Sequence, residues 1–276
     1  MVPESQIGVS PVPYRITAMR PELESGEIVT WRLQPLESAL PRFQPGQFNV
    51  IYPPGADEFP GLIGGDPESD EVMHTLRSIK PADASARVLQ VGDVIGLRGP
   101  FGSPWPIQQA RGKDLVLVAG GMGLTSLRSI LCHAMRHRDY FRKVYLLYGT
   151  RDPMNILYRD DVIAWERRPH LHVQVTVDRG GAAWRGNVGV VTKLVDRAPF
   201  DPAEAIAFVC GPEIMMRFSV LALQKHGVSD ERIYLLMERQ MKCVIDSGDK
   251  RPPNLPEAGP IFRFDQVEHF FSVREP

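Results

Sequence analysis

Two glycine-bearing segments carry residue types that suit phosphate binding. The first reads DLVLVAGGMGLTSLRSIL over 114–131, and the second reads AIAFVCGPEIMMRFSVLAL over 205–223. Each is an apolar, β-branched run that stops at glycine and continues into an amphipathic helical pattern. Glycines let the backbone approach a phosphate, and the first turn of a helix offers unpaired N–H groups. Two such strand–turn–helix units predict a parallel sheet whose turns face a nucleotide.

The first turn, AGGMGLTS, is an incomplete dinucleotide fingerprint. Gly120, Gly121 and Gly123 are present, but Ser126 stands where the third spaced glycine would fall. The glycines still permit close approach to phosphate, and the hydroxyls of Thr125 and Ser126 can add donors. A tight turn that binds nothing is the alternative for this motif alone.

The second turn, CGP at 210–212, strengthens the nucleotide hypothesis. Cys210 falls at the carboxyl tip of a predicted parallel strand, where such sheets place their ligands. A lone buried cysteine is more often a packing residue. Because both turns should lie on the same edge of one sheet, together they favour a binding site.

The half of the chain before residue 107 is rich in turns. Residues 14–98 contain short alternating or β-branched runs separated by turn signals such as Pro45-Gly46 and Gly64-Gly65-Asp66-Pro67. This spacing predicts a small antiparallel β-barrel. The runs predicted as strands are YRITAMR, EIVTWRLQ, QFNVIY, VMHTLRSI and DVIGLRG.

After a turn-rich linker at 99–114, strands alternate with helices. Helices are predicted at 124–138, near 154–166 and at 213–226, with apolar runs between them. This alternation predicts a doubly wound parallel sheet. The resulting division is an N-terminal extension (1–13), an antiparallel barrel (14–107), a nucleotide-binding α/β domain (108–240) and an irregular, proline-bearing tail (241–276).

Composition excludes several functional classes. The net charge is −1, so no basic surplus indicates nucleic acid or an anionic membrane as partner. No apolar run reaches the roughly 18 residues of a membrane span, and the N-terminus lacks the features of a signal peptide. The three cysteines, at 132, 210 and 243, are scattered, which argues against a disulfide framework and favours a cytoplasmic protein.

The ordered series of motifs resembles the ferredoxin–NADP reductase superfamily over roughly residues 14–243. Within it the chain resembles the gamma (diaphorase) subunits of cytoplasmic nickel–iron hydrogenases and sulfhydrogenases, with dihydroorotate dehydrogenase electron-transfer subunits as relatives. The resemblance implies FAD on the barrel, NAD(P)H on the second domain and a two-iron, two-sulfur cluster near the C-terminus. The motifs, in order, are GPFG, AGGMGLTSL, LLYGTRDPMNILY, TVDRGGAAWRGNVGVV and VCGPEIMM.

The resemblance implies three groups of contacts with the nicotinamide cofactor. Those facing the pyrophosphate are Gly120, Gly121 and Gly123. Those beside the nicotinamide ring are Cys210, as the catalytic residue, with Gly211 and Pro212. Those bordering the ribose pocket are Gly149, Thr150 and Arg151.

Asp178 falls where relatives of this family select between NAD and NADP. A carboxylate there can accept hydrogen bonds from a free ribose diol and repels a 2′-phosphate, which favours NAD over NADP. Arg179, the next residue, would instead favour NADP, because its positive charge can attract a 2′-phosphate. A solvated turn after a strand is the alternative for both residues.

The cluster-binding pattern of the relatives is broken in this chain. Relatives read Met-Lys-Cys-Gly followed closely by further cysteines, whereas here the sequence reads MKCVIDSGDK and Cys243 stands alone. A cluster of this kind requires four thiolates, and the chain has three cysteines. We therefore expect no iron–sulfur cluster and no other metal in this chain.

The flavin side departs from the pattern as well. Residues 43–76 contain no lysine or arginine, and a phosphate-binding turn of the relatives is replaced by Pro81-Ala82-Asp83. FAD binding is thus possible on a weakened motif, with His74, Thr75 and Arg77 as candidate contacts. Arg77 and Arg98 could supply positive charge if they point inward, or could be ordinary exposed strand residues. The carboxylates of the region, expected to be uncompensated, are Asp57, Glu58, Asp66, Glu68, Asp70 and Glu71.

Two functions remain open from the sequence. The first is a diaphorase-type oxidoreductase subunit that passes a hydride from NAD(P)H to flavin and exchanges electrons with an iron–sulfur partner in a hetero-oligomer. The second is a non-catalytic structural or sensing subunit that keeps the fold without FAD. A flavin reductase acting alone is a third variant, and it also requires FAD.

Overall fold

The N-terminal half folds into a six-stranded antiparallel sheet with the strand order β4-β3-β6-β1-β2-β5. The computed structural model describes residues 10–77, 88–241 and 259–271. A bridge between Ile63 and His74 joins the two edges of this sheet and closes it as a barrel. The strands are β1 (Val12–Pro21), β2 (Ile28–Pro35), β3 (Phe48–Tyr52), β4 (Phe59–Leu62), β5 (Val72–Arg77) and β6 (Val94–Phe101).

The five runs predicted as strands all lie in this sheet, and β4 is the additional strand. Pro60 and Gly61 disfavour a strand in the sequence pattern, since proline cannot donate a ladder hydrogen bond. Among the described strands, β4 pairs with β3 at the end of the strand order, a position where proline is tolerated.

The second half is a seven-stranded sheet with the order β10-β9-β8-β7-β11-β12-β13. Strands β7 to β12 run parallel to one another, β13 is antiparallel to β12, and the chain order reverses between β7 and β11. The strands are β7 (Asp114–Gly120), β8 (Lys143–Thr150), β9 (Leu171–Val177), β10 (Asn187–Val188), β11 (Ala205–Cys210), β12 (Ile233–Leu236) and β13 (Ile261–Arg263).

Helices cover both faces of this second sheet. Leu115 and Leu117 of β7 belong to the same apolar cluster as Leu127 of the first helix, whereas Val116 and Val118 belong to the cluster on the opposite face. No helix in the described ranges is long and apolar enough to cross a membrane. The helices are α1 (Leu124–Arg136), α2 (Arg159–Glu166), α3 (Thr192–Val195), α4 (Glu213–His226) and α5 (Phe264–Phe271).

One hydrophobic cluster runs through both halves of the molecule. It joins Phe48 and Val50 of the barrel to Leu117 of the second sheet. Trp105, in the segment predicted as a linker, is 2% exposed and stacks on Phe208 with ring centroids 4.9 Å apart. The linker is therefore part of the core, and the two halves pack against each other through apolar side chains.

The C-terminal tail is more ordered than the sequence predicts. β13 pairs antiparallel with β12, and α5 follows it directly. Phe262, Phe264 and Val267 are buried, so this part of the aromatic tail belongs to the core. Residues 259–271 therefore contain a strand and a helix, which the sequence pattern did not indicate because a three-residue strand is too short to show periodicity. Residues 242–258 and 272–276 lie outside the described residues.

A buried histidine inside the barrel makes stability dependent on pH. His74 donates from Nδ1 to the Leu62 carbonyl oxygen (2.9 Å) and accepts at Nε2 from Asn49 Nδ2 (3.2 Å). Burial lowers its pKa to about 4, from 6.5. Between these values the unfolded chain binds a proton that the folded chain does not, so stability falls as the pH is lowered through this window.

We expect His74 to lower the free energy of unfolding by about 3 kcal/mol as the pH falls from 6.5 to 4. Urea unfolding at several pH values should show a steeper acid loss in the native chain than in the His74→Gln variant, which has no imidazole to protonate. Parallel pH profiles for the two proteins would contradict this assignment.

Candidate functional site

The two glycine turns meet backbone to backbone at the point where the strand order reverses. Ala119 of β7 pairs with Cys210 at the end of β11. A Cβ on Gly123 would lie 2.1 Å from the Cys210 carbonyl oxygen, and one on Gly211 would lie 3.0 Å from Gly120 Cα. Only glycine allows this approach, because any side chain would collide with the backbone of the other turn. The two turns therefore meet at the edge of the sheet where parallel sheets bind ligands.

Gly121 is the glycine of this pair of turns that faces open space. Its φ is +51°, and no described heavy atom lies within 4 Å of a Cβ built there. Helix α1 begins at Leu124, directly after this turn, and within the described ranges no side chain caps its N-terminus. An open glycine before an uncapped helix N-terminus is a suitable cradle for a phosphate group.

The hydroxyls of Thr125 and Ser126 point away from this cradle. Both residues are fully buried. Thr125 Oγ1 lies 3.0 Å from Tyr158 Oη, within hydrogen-bond distance, and Ser126 Oγ accepts a hydrogen bond from Trp105 Nε1 (2.9 Å). Both residues lie on the helix face that covers the shared core, so the expected donor role toward phosphate is not supported for either.

The ends of β8 and β9 extend the same edge of the sheet. Gly149 and Thr150 end β8, and the backbone N–H groups of Asp178 and Arg179 donate to the carbonyl oxygens of Thr150 and Arg151 (2.9 Å each). The side chains of Arg151, Asp178 and Arg179 are exposed. The predicted ribose-pocket residues and Asp178 are therefore adjacent, one strand away from the glycine turn.

Cys210 is fully buried at the end of β11. Burial raises the pKa of its thiol well above the usual value, and the nearby charge of Glu238 acts in the same direction. The group is therefore a neutral thiol. Its proposed place beside a nicotinamide ring is compatible with packing and positioning, and a thiolate nucleophile is disfavoured.

Glu238 is a residue that the sequence reasoning missed. It follows β12 and has an exposed side chain, yet desolvation by the surrounding protein raises its pKa, with the Arg77 guanidinium opposing that shift. The charge of Glu238 acts on the Cys210 thiol of the sheet, and that of Arg77 in the barrel acts on Glu238, so Glu238 lies near both halves of the molecule; the region around these side chains is called the cleft. Its position just after a parallel strand was the available signal.

The three predicted flavin contacts on β5 do not share one face, because side chains alternate between the two faces along a strand. His74 points into the barrel, where both ring nitrogens are already bonded. Thr75 points toward the second domain, where its hydroxyl accepts from Tyr158 Oη (2.6 Å) and lies 2.7 Å from Thr30 Oγ1. Arg77 is exposed at the end of the strand, beside the cleft. Among the described residues, Arg77 is the member of the three whose side chain forms no hydrogen bond.

The acidic segment of the barrel is partly compensated, which corrects the expectation from sequence. Three of its six carboxylates pair with arginines that lie outside residues 43–76, and a fourth, Glu68, contacts His137. Tertiary contacts across 28 to 70 residues supply these partners, so no sequence window could show them. The pairs are Arg32–Glu71 (2.5 Å), Arg42–Asp70 (2.9 Å), Arg136–Asp66 (2.6 Å) and His137–Glu68 (2.5 Å).

Arg98 is the second cation that the sequence proposed for the flavin side. It is half-buried on β6, with its guanidinium 5.7 Å from the ring centre of Tyr52 and 5.6 Å from that of Phe101. Its Nε is buried and has no hydrogen-bond partner in the described part of the chain. An unpartnered guanidinium nitrogen of this kind is suited to a phosphate oxygen.

Comparisons with known proteins agree with this geometry. Residues 117–220 match the model of the oxidoreductase NAD-binding domain. The chain is 32% identical to the sulfhydrogenase 2 subunit gamma of Pyrococcus furiosus, over 73% of this chain and 74% of that protein. It is 28% identical to a Thermoplasma volcanium protein that carries the name dihydroorotate dehydrogenase B (NAD+) electron-transfer subunit, over 81% and 80% of the two chains.

The fold is shared with a solved ferredoxin–NADP+ reductase. The Neisseria gonorrhoeae enzyme, whose structure contains FAD and NADP, superimposes with a TM-score of 0.69 at 19% identity, covering 83% of this chain and 98% of that one. The shared fold therefore includes both the barrel and the doubly wound sheet. By its sequence relatives and its fold, the chain belongs to the ferredoxin–NADP reductase superfamily, together with the gamma subunits of the sulfhydrogenases.

Proposed function

We propose that this protein is the electron-transfer reductase subunit of a larger redox complex, exchanging electrons between a nicotinamide nucleotide and a flavin. The observation that carries the proposal is the meeting of the two glycine turns, with open space over Gly121 at the edge of the sheet. The relatives named above are electron-transfer or hydrogenase subunits, which supports the same role.

The nucleotide half would bind the cofactor mainly through its backbone. The turn at Gly121 and the first N–H groups of α1 would take the pyrophosphate, and the ends of β8 and β9 would border the ribose. Cys210, Gly211 and Pro212 would lie beside the nicotinamide ring. The neutral Cys210 thiol adds no charge there, while Glu238 places a carboxyl group in the cleft.

The barrel side fits a flavin on an observation of its own. The unpartnered Nε of Arg98 can donate to a phosphate oxygen, and Arg77 offers a second cation at the cleft. A bound flavin would supply the step between hydride transfer from the nicotinamide and single-electron transfer to a partner. In this proposal Arg98 holds the phosphate and Arg77 stabilises negative charge in the cleft.

The proposal includes no iron–sulfur cluster in this chain. Four thiolates are needed, and the chain has three cysteines, of which Cys210 is enclosed in the core. Cys243, the remnant of the cluster motif, lies outside the described residues. The next redox centre would then belong to another subunit, which makes an iron–sulfur partner and a hetero-oligomer part of the proposal.

The cofactor content of the purified chain tests this function. We expect flavin absorption as purified or after reconstitution with FAD, and NADH-dependent reduction of ferricyanide that requires the flavin. A colourless protein that cannot be reconstituted with FAD would overturn the proposal and leave a non-catalytic structural or sensing subunit. Testing the chain alone and with its partners separates loss of flavin from loss of the partner.

Nucleotide selectivity should depend on Asp178. Its exposed carboxylate can accept hydrogen bonds from the ribose diol of NADH and repels the 2′-phosphate of NADPH. We expect NADH to be preferred, and Asp178→Ala to reduce the NADH/NADPH ratio of kcat/KM by about tenfold, the equivalent of one close charge pair near solvent. Arg179→Ala is the matched control, because it should not improve the use of NADPH. An unchanged ratio in Asp178→Ala would contradict the assignment.

A further inference from the structure

A cluster of metal-ligating side chains lies away from the cleft, where the acidic loop between β4 and β5 touches helix α1. Glu68, His133 and His137 each offer one ligand atom, and these atoms lie within 4.8 Å of one another. His137 Nε2 is 2.5 Å from Glu68 Oε1. The two histidines are four residues apart and so project from the same face at the end of α1.

One member of the cluster has an unmet bonding requirement. His133 Nε2 is buried and has no hydrogen-bond partner among the described residues. A buried polar nitrogen without a partner costs about 1–3 kcal/mol. The ring lies against His137, with centroids 4.4 Å apart, so this unpartnered nitrogen belongs to a side chain that already forms part of the cluster.

The side chains around the cluster hold its members in position. Tyr140 stacks on His137 with ring centroids 5.2 Å apart and planes inclined by 29°. The Glu68 N–H donates to Asp66 Oδ1 (3.0 Å), and the other oxygen of Asp66 pairs with Arg136 (2.6 Å). Outer contacts of this kind orient metal ligands in known sites.

We propose that Glu68, His133 and His137 bind a divalent transition-metal ion, with zinc as the best match, and that the ion ties the barrel to helix α1. Two imidazoles and one carboxylate suit zinc better than magnesium or calcium, which prefer oxygen ligands. Tetrahedral zinc places its ligand atoms about 3.3 Å apart, a spacing that small side-chain rotations can reach from the present positions. Three protein ligands leave the fourth position to water.

Such an ion would bridge two segments that are distant in sequence. Glu68 belongs to the barrel and the histidines to the nucleotide domain, so binding would stabilise their contact. The site lies apart from the glycine turns at the other end of α1. Its occupancy should therefore change thermal stability and leave nucleotide affinity unaltered.

Titration of the untagged full chain with Zn²⁺, and with Co²⁺ as a spectroscopic probe, tests the proposal. We expect one equivalent of tightly bound metal, visible d–d bands with Co²⁺, and a melting temperature that rises with Zn²⁺. In the His133→Gln/His137→Gln double variant the affinity should fall by at least about 100-fold, because two of the three ligands are lost and an outer contact alone contributes about 10–100-fold. The control His170→Gln removes an exposed histidine before β9 and should bind as the native chain does.

If the double variant does not fold, Glu68→Gln takes its place in the test. This change is on an exposed loop residue and should weaken binding by about tenfold or more. Circular dichroism and NADH titration of each variant establish that the fold is intact. Absence of stoichiometric binding by the native chain, or unchanged affinity in a folded variant, would overturn the proposal.

Discussion

Replacing Gly121 with glutamine should lower the affinity for NADH by about 100-fold, the equivalent of nearly 3 kcal/mol. The position has no described heavy atom within 4 Å, so the new side chain would occupy the space through which the pyrophosphate approaches the backbone. The φ of +51° adds a conformational cost of about 1–2 kcal/mol for any residue with a Cβ. NADH binding can be followed by fluorescence titration.

Gly112→Gln is the matched control for that variant. Gly112 also has a left-handed backbone, with φ +72°, and open space at its Cβ position, but it precedes β7 at the opposite end of the strand. Both variants should lose similar stability in urea unfolding, and only Gly121→Gln should lose NADH. Unchanged NADH affinity in a folded Gly121→Gln protein would show that the cofactor binds elsewhere.

The second large effect is expected at Gly123. A Cβ there would lie 2.1 Å from the Cys210 carbonyl oxygen and 2.7 Å from Gly211 N, which are backbone atoms of the buried end of β11 and of the turn that follows it. Neither can move without separating β7 from β11. We expect Gly123→Ala to destabilise the fold by about 3 kcal/mol or more, at or above the usual range for overpacking.

Gly181→Ala provides the comparison for this substitution. No described heavy atom lies within 4 Å of its Cβ position, and its φ is not in the left-handed region. Its free energy of unfolding should therefore stay close to that of the native chain. Equal stability of the Gly123→Ala and Gly181→Ala proteins in urea unfolding would show that the two turns are farther apart than described.

The sequence predicts the doubly wound half of the fold well because its signals are local. Long apolar strands, glycine turns and amphipathic helices follow one another, and the helix predicted at 213–226 coincides with α4. The short elements were missed for an equally physical reason. β4 contains Pro60 and Gly61, and β13 is three residues long, so their strand character comes from their neighbours in the sheet.

Some residues of the candidate site could likewise be located from the sequence and others could not. Glycines at strand ends can be located from sequence, since parallel strands place their carboxyl ends along one edge. Side-chain direction and distant pairing cannot be located in this way. Thr125 turns into the core, Arg136 neutralises Asp66 from 70 residues away, and Glu238 acquires its environment only when the barrel packs against the sheet.

The stacking of Trp105 on Phe208 has a consequence for how this lineage can change. The distance between the two candidate cofactor sites is set by apolar side chains that continue from barrel to sheet, and these contacts do not involve a ligand. Residues that hold one redox group can therefore be lost while the other site keeps its geometry. A chain with this arrangement can rely on a neighbouring subunit for the lost redox step, while its remaining site keeps the original orientation.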